Sequence, residues 1–206
     1  MGIREQKKAQ ARAAMAAAAS ELFGRNGYAA VSMSQIARAA GVSDQTLYNY
    51  FPTKESLVFD QAPVFEATLL GAVAERPPGR DPLDAFRGWF DDFVLGPAAE
   101  RGIATPGGMI RLVAGSDTLH RALLALAHRI AGRLASELAA ADPAAGPRAA
   151  VLADALLAVV VRTIERLGAV TGPDELPDVA ARAHAALDTL RPLSAVDTAA
   201  VAGDPA

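Results

Sequence analysis

Residues 31–51 read Val-Ser-Met-Ser-Gln-Ile-Ala-Arg-Ala-Ala-Gly-Val-Ser-Asp-Gln-Thr-Leu-Tyr-Asn-Tyr-Phe, and almost every position constrains the backbone. Ser32 and Gln35 stand at capping-box spacing, in which the serine oxygen takes the third helical amide and the glutamine side chain returns to the serine amide. A short helix starts there. Ile36 and Ala40 share one face of it, and Ala37 is small where a second helix must cross closely. Gly41 tolerates the positive φ of a sharp helix exit, Val42 plugs the corner, and Ser43 caps the next helix. Leu47 and Phe51 point inward, Pro52 ends the second helix and Thr53 caps another. Two short helices joined by a tight glycine turn form a helix-turn-helix.

That assignment leaves Asp44, Gln45, Thr46, Tyr48, Asn49 and Tyr50 on a helix too short to bury them all. A helix-turn-helix lays its second helix in the major groove of DNA. There Gln and Asn pair with adenine edges, Thr touches a thymine methyl and Tyr reaches phosphate. Lys54 and the first amides after Thr53 are available to a phosphate oxygen. A plain three-helix bundle with an ordinary polar face is the alternative, but two tyrosines within three residues argue for a contact. Tyr50 is also suited to partial burial. Asp44 is a counter-signal beside phosphates; it either complements the helix N-terminus or accepts from a cytosine amino group.

Charge is distributed accordingly. The 206-residue chain carries a net −3, with a pI near 5.6. Residues 1–58 hold seven Lys/Arg against four Asp/Glu, a balance of +3, so the remainder carries −6. All three lysines lie in the first segment. With 51% hydrophobic and 21% charged residues, the chain reads as a globular protein of one or two domains. The absence of cysteine excludes disulfides, thiolate metal sites and cysteine nucleophiles, and fits a reducing cytoplasm, the expected location. No membrane association is expected, because the apolar stretch at 155–161 falls far short of the roughly 20 residues a spanning helix needs. Arg4, Lys7, Lys8 and Arg12 precede an alanine-rich run that Glu21 and Arg25 interrupt, so it reads as a folded helix and not a secretory signal.

Ala, Leu, Arg and Glu dominate and the apolar period is 3.6, which predicts an all-α fold. The first helix is expected over residues 4–26, with Ala9, Ala13, Ala16, Ala19 and Phe23 on its buried stripe and left-handed Gly27 ending it. A longer helix from Thr53 into the seventies stops before Arg76-Pro77-Pro78-Gly79-Arg80 and is the natural lever between two domains. Asp81-Pro82 and Thr105-Pro106 each start a helix, Asp117 or Ser116 caps one through Leu138, and Pro147 opens another to about Val170. Residues 178–190 make the last. The expected division is 1–58 for a helix-turn-helix domain, 59–192 for a larger helical domain and 193–206 for a loose tail.

From Phe23 to Val58, about a sixth of the chain, the sequence resembles the DNA-binding domain of the TetR family of transcriptional regulators. The pattern lies in Leu22-Phe23, Gly27-Tyr28, Ser32, Ile36-Ala37, Ala40-Gly41-Val42-Ser43, Thr46-Leu47-Tyr48-Asn49-Tyr50-Phe51 and Lys54-Glu55-Ser56-Leu57. The resemblance implies a homodimer on double-stranded DNA, usually a repressor that leaves a palindromic operator when a small-molecule effector binds the C-terminal domain. By position, its DNA contacts fall on Ser32, Ser34, Gln45, Thr46, Tyr48, Asn49, Tyr50 and Lys54. Of these, Tyr48 and Lys54 are the phosphate anchors and Gln45 and Asn49 the sequence readers. Arg4, Lys7 and Lys8 either add contacts or are solvated charge. Family members often carry Gly or Lys near Asp44, so local specificity differs here.

The resemblance also places residues 147–170 and 178–190 in a four-helix dimer interface. Val151, Leu152, Ala155, Leu156, Val159, Val160 and Ile164 cover more than one face, as burial against both a core and a partner requires. For an effector pocket the candidates are Trp89, Phe93, Met109, His128 and Arg162, polar or polarisable groups among apolar helices. His120 and His128 lie roughly 12 Å apart along a helix, too far for one metal ion. No nucleophile elbow, P-loop, dinucleotide fingerprint or HExxH appears, and Asp91-Asp92 reads as a solvated pair. The chain is therefore not expected to be an enzyme or to need a cofactor or metal. A DNA-bound structural or protein-recruiting factor without an effector is the rival reading.

Overall fold

A computed structural model describes residues 2–101, 108–142 and 145–194, with 99–101 described as backbone alone. The described residues contain twelve α-helices and no strand, as the period of 3.6 predicts.

Helix α1 (Ile3–Asn26) buries Met15, Ala19 and Phe23, spaced four apart on one stripe. Ala9 and Ala13, expected on that stripe, are exposed. Alanine favours a helix on any face, so its spacing marks the core poorly; Met15 and Phe23 mark it by size. Gly27 ends the helix at φ 79° and ψ 151°. This is glycine-only extended backbone and not the left-handed helical conformation expected.

Helices α2 (Met33–Ala39) and α3 (Asp44–Tyr50) follow, and Ile36, Ala37, Leu47 and Phe51 are fully buried where they cross. The single helix expected from Thr53 into the seventies is instead two. Helix α4 (Lys54–Val58) ends at Phe59, and α5 (Ala62–Ala74) begins with Pro63 in its first turn. Pro63 has no amide hydrogen for the Phe59 carbonyl and its ring would collide with that oxygen. A continuous rod is therefore ruled out, and the lever has a joint at residues 59–61. Helix α4 packs on α1, whereas α5 packs on α6 and α9.

The Asp81 carboxylate caps α6 (Pro82–Phe90) by accepting the Leu83 amide at 2.8 Å, with Pro82 at the first helical position. A π-helical turn at Asp91–Leu95 leads into α7 (Gly96–Arg101). The expected start at Thr105-Pro106 lies outside the described residues; α8 (Met109–Ala114) follows it. Ser116 caps α9 (Asp117–Ala141), and α10 (Gly146–Ala169) has Pro147 in its first turn. These two long helices pack side by side. Helix α8 crosses α10 so closely that a Cβ on Gly168 would sit 2.6 Å from that of Ala114.

A 3₁₀ turn, Pro173–Glu175, introduces α11 (Leu176–Asp188), and α12 (Arg191–Ser194) extends two residues into the expected tail. That end is tied back to α6. Ser194 donates to Asp81 at 2.9 Å, Arg191 meets Asp84 at 2.8 Å, and Arg87 pairs with Asp188. The Arg191 guanidinium holds the Asp84 carboxyl below its ordinary range, chiefly through that hydrogen bond. Asp91 is not merely solvated: its Oδ1 lies 2.6 Å from His184 Nε2 on α11. One apolar cluster runs from Met15 and Phe23 through Leu47, Phe51 and Leu69 to Phe86, Leu134 and Leu156, so no solvent layer separates the N-terminal helices from the rest.

Candidate nucleic-acid interface

The helix-turn-helix is built as its sequence dictates. The Ser32 amide donates to Gln35 Oε1 at 2.8 Å and the Gln35 amide to Ser32 Oγ at 3.3 Å, closing the capping box. Gly41 turns at φ 68°, and the Val42 amide reaches back to the Ala37 carbonyl at 2.9 Å. Ser43 Oγ takes the Thr46 amide at 3.1 Å and also lies 2.8 Å from Thr46 Oγ1. Across the turn the Ser34 hydroxyl donates to Asp44 Oδ2 at 2.5 Å, binding α2 to the first residue of α3.

At about 100° per residue, Asp44, Gln45, Tyr48 and Asn49 fall within one arc of α3, and the buried Leu47 lies outside it. All four are exposed, Tyr48 at 45%. Gln45 Nε2 donates to Asn49 Oδ1 at 3.0 Å, so the two amides form a tied pair one turn apart. Gln45 Oε1 and the Asn49 amide hydrogens remain to meet complementary base edges. Thr46 and Tyr50 lie outside this arc, half-buried, and Tyr50 packs against the core. Ser32 and Ser34 are exposed on α2.

Lys54 is arranged differently from the free phosphate anchor expected. Its ammonium donates to the carbonyls of Tyr28 (2.8 Å) and Val31 (2.9 Å) and stands 4.2 Å from the Tyr28 ring centre. It therefore fastens the loop before α2 onto α4. Thr53 Oγ1 takes the Ser56 amide at 3.2 Å, capping α4. Beside Lys54 the Tyr28 hydroxyl donates to Glu55 Oε1 at 2.8 Å. Burial, then the Glu55 hydrogen bond and charge, push the Tyr28 hydroxyl well above its ordinary value. For Glu55 burial pushes upward, but hydrogen bonds from its own amide, Tyr28 and Thr53, with the Lys54 charge, leave the carboxyl below its ordinary value.

Arg12 is the residue that sequence reasoning missed. From α1 its Nε lies 2.6 Å from Asp60 Oδ1, its Nη1 donates to the Tyr50 carbonyl at 3.1 Å, and its guanidinium sits 4.3 Å from the Phe51 ring centre. One side chain thus holds the C-terminal end of α3 to the α4–α5 joint. The partners are 38 and 48 residues away in sequence, and no local motif announces them.

The sequence profile of bacterial regulatory proteins of the tetR family matches residues 16–60, from mid-α1 to the joint. The HTH-type transcriptional regulator TcmR of Streptomyces glaucescens is 31% identical over 131 residues, covering 64% of this chain and 54% of the relative. Over residues 16–60 the chain is thus similar to the TetR family of bacterial regulatory proteins. The chain spans about half the length of that curated relative. Its fold is similar to that of Salmonella enterica GusR, with a TM-score of 0.56 at 20% identity over 90% of this chain and 95% of that one. It is also similar to that of Thermus thermophilus FadR, solved in complex with lauroyl-CoA, with a TM-score of 0.53 at 22% identity over 95% and 99%.

The fold does not bring the five candidate pocket residues together in one place. Trp89 is buried, its indole donating to Thr68 Oγ1 at 3.1 Å, and it packs edge-on to Phe65 at 4.5 Å and stacks on Phe93 at 6.0 Å. Phe93 is 44% exposed in the π-helical turn, and Met109 is on α8. His128 and Arg162 border an open groove of about 390 Å³ between α9 and α10, with His120, Asp154 and Glu165 beside them. Trp89 serves the core packing of α5 on α6.

Proposed function

We propose that the chain is a sequence-specific DNA-binding transcriptional regulator, a homodimeric repressor that a small-molecule effector releases from a palindromic operator. The observation that carries this reading is the outward arc of α3, where Gln45, Tyr48 and Asn49 stand exposed on a helix held by caps at its start and Arg12 at its end. Gln45 and Asn49 read base edges and Tyr48 donates to phosphate. Ser32, Ser34, Thr46 and Tyr50 flank them, and Lys54 acts by fixing the loop before α2. Residues 1–58 form the DNA-binding domain and 59–192 the effector-binding and dimerisation domain, acting in the cytoplasm; among the described residues no helix is long and apolar enough to cross a membrane.

A second copy fits the stripe that α10 leaves uncovered. Val151 is 55% exposed, and Ala155 and Val159, one and two turns on, are half-buried. A groove of about 390 Å³ continues it onto α11, with Ala158, Val159, Ala183 and Ala186 in its lining together with Arg162, Arg166 and Arg182. Two-fold pairing through these helices presents two α3 helices to successive major grooves and makes the operator palindromic. An effector that prefers another spacing releases DNA by linkage; hundredfold release needs about 2.7 kcal/mol of preference. The lauroyl-CoA of the FadR structure illustrates one small molecule on this fold, and the effector class proposed here is no narrower than a small organic molecule.

Selection of bound duplexes from a random pool tests the reading. Recovery of a palindrome with half-sites about 34 Å apart supports it, and failure to enrich any sequence overturns it. A second reading, a DNA-bound structural or protein-recruiting factor without effector, draws on the scatter of Trp89, Phe93, Met109, His128 and Arg162 over three regions. Thermal-shift screening against metabolites separates the two, since only the first predicts a stabilising small molecule.

A further inference from the structure

Asp44 is the first residue of α3, at the end of a recognition helix that approaches base edges. Its carboxylate is exposed, yet it is oriented from outside its own helix: the Ser34 hydroxyl of α2 donates to Oδ2 at 2.5 Å. That bond satisfies one oxygen and leaves the lone pairs of Oδ1 for another donor. The start of the helix therefore presents a positioned acceptor whose orientation is set before any partner arrives.

We infer that Asp44 is a specificity-determining residue that accepts a hydrogen bond from the exocyclic amino group of a cytosine in the major groove, with Ser34 as its positioning residue. The inference rests on the DNA-binding reading above. An ionised carboxylate only accepts, and the major-groove edges offer two amino donors, on cytosine and adenine. Adenine carries its N7 acceptor beside the amino group, which repels a carboxylate, whereas the cytosine edge has the donor without an acceptor of its own. Near phosphates the negative charge weakens binding in general, so Asp44 acts mainly by rejecting wrong bases.

The distinguishing signature is that removing the charge tightens non-specific binding while loosening specificity. Wild type, Asp44→Ala and Ser34→Ala, each as the full chain, are put through selection from a random duplex pool, and their affinities for one unrelated duplex are measured. The wild type is expected to recover half-sites with cytosine fixed at one position. Asp44→Ala loses that preference by about tenfold, keeps the other positions and binds the unrelated duplex several-fold more tightly. Ser34→Ala, which leaves Asp44 in place, weakens the same cytosine preference partway. The assignment is overturned if Asp44→Ala recovers the wild-type cytosine preference, or if the wild-type half-site has no such position. A wild-type chain that enriches a palindrome without this cytosine leaves the DNA-binding reading standing. One that enriches nothing removes both.

Discussion

The Arg12 guanidinium lies 2.6 Å from the Asp60 carboxylate across 48 residues of sequence, and through the same group it holds the last carbonyl of α3. Asp60 is 11% exposed against 39% for Arg12, so the carboxylate is the member that suffers when the pair is broken. In the proposed mechanism this pair links the C-terminal helices to α3.

Replacing Arg12 with alanine frees the end of α3 and strands Asp60, with Gln61 as its remaining side-chain donor. A loss of roughly 1–2 kcal/mol is expected in urea denaturation, a hydrogen-bonded charged pair being worth about that much when half-buried. Affinity for the selected operator falls because the loosened helix must be ordered on binding, whereas base preferences at each position are retained. A changed sequence preference would instead make Arg12 a direct reader.

Lys54→Ala is expected to act through stability more than through phosphate. The ammonium holds two carbonyls and a ring face, so the alanine variant lowers Tm and loosens the loop before α2. The dependence of operator affinity on salt should keep its slope, whereas removal of a true phosphate anchor would reduce that slope by about 1. A reduced slope with unchanged Tm would restore Lys54 as a phosphate anchor.

The helix-turn-helix was legible because its determinants are local: Ser32 with Gln35, Gly41 at its turn, and Ser43 before Thr46 each act over a few residues. The start of α6 at Asp81-Pro82 was legible for the same reason. What escaped depends on partners far along the chain. Lys54 sits at a position that suits phosphate, and only the fold shows that the Tyr28 and Val31 carbonyls reach it first. Pro63 was visible in the sequence as a breaker, but the apolar residues on both sides disguised the joint. Trp89 and Phe93 carry the spacing of a core and of a pocket alike, and packing against Phe65 decides for the core at Trp89.

Acid and alkali should each loosen the Tyr28–Glu55 bond. Glu55 is depressed in the folded state, so its contribution is full above the ordinary carboxyl value near 4.3 and is lost as pH falls through the folded value. Tyr28 is raised, so its contribution is full below the ordinary value near 10 and is lost as pH rises beyond it. Thermal melts from pH 3 to 11 are expected to show Tyr28→Phe below wild type across the plateau and converging on it at both ends. A constant offset at every pH would rule out this bond as the source.

Two glycines give opposite expectations for the same substitution. A methyl group on Gly168 meets Ala114 Cβ at 2.6 Å and the Ile110 carbonyl at 3.3 Å, while Gly132 in α9 has open space around it. Gly168→Ala should destabilise by roughly 1–3 kcal/mol through overpacking. Gly132→Ala should stabilise by roughly 0.5–1 kcal/mol through helix propensity. Urea midpoints of the two variants, read at equal m-value, decide whether α8 and α10 approach as closely as described.

Tyr48 and Gln45 should separate affinity from sequence preference. Tyr48 is exposed and offers a hydroxyl at the flank of the arc, so Tyr48→Phe removes a phosphate donor and is expected to weaken operator and unrelated duplex alike. Gln45 lies toward the start of α3 and is held by Asn49 at 3.0 Å. Gln45→Ala should therefore flatten base preference at one position, costing about 1–3 kcal/mol on the preferred base and little elsewhere. Binding measured against a panel of single-base operator variants distinguishes the two patterns. If both substitutions scale every member of the panel equally, neither side chain reads sequence, and discrimination must come from Asp44 or from the shape of the duplex.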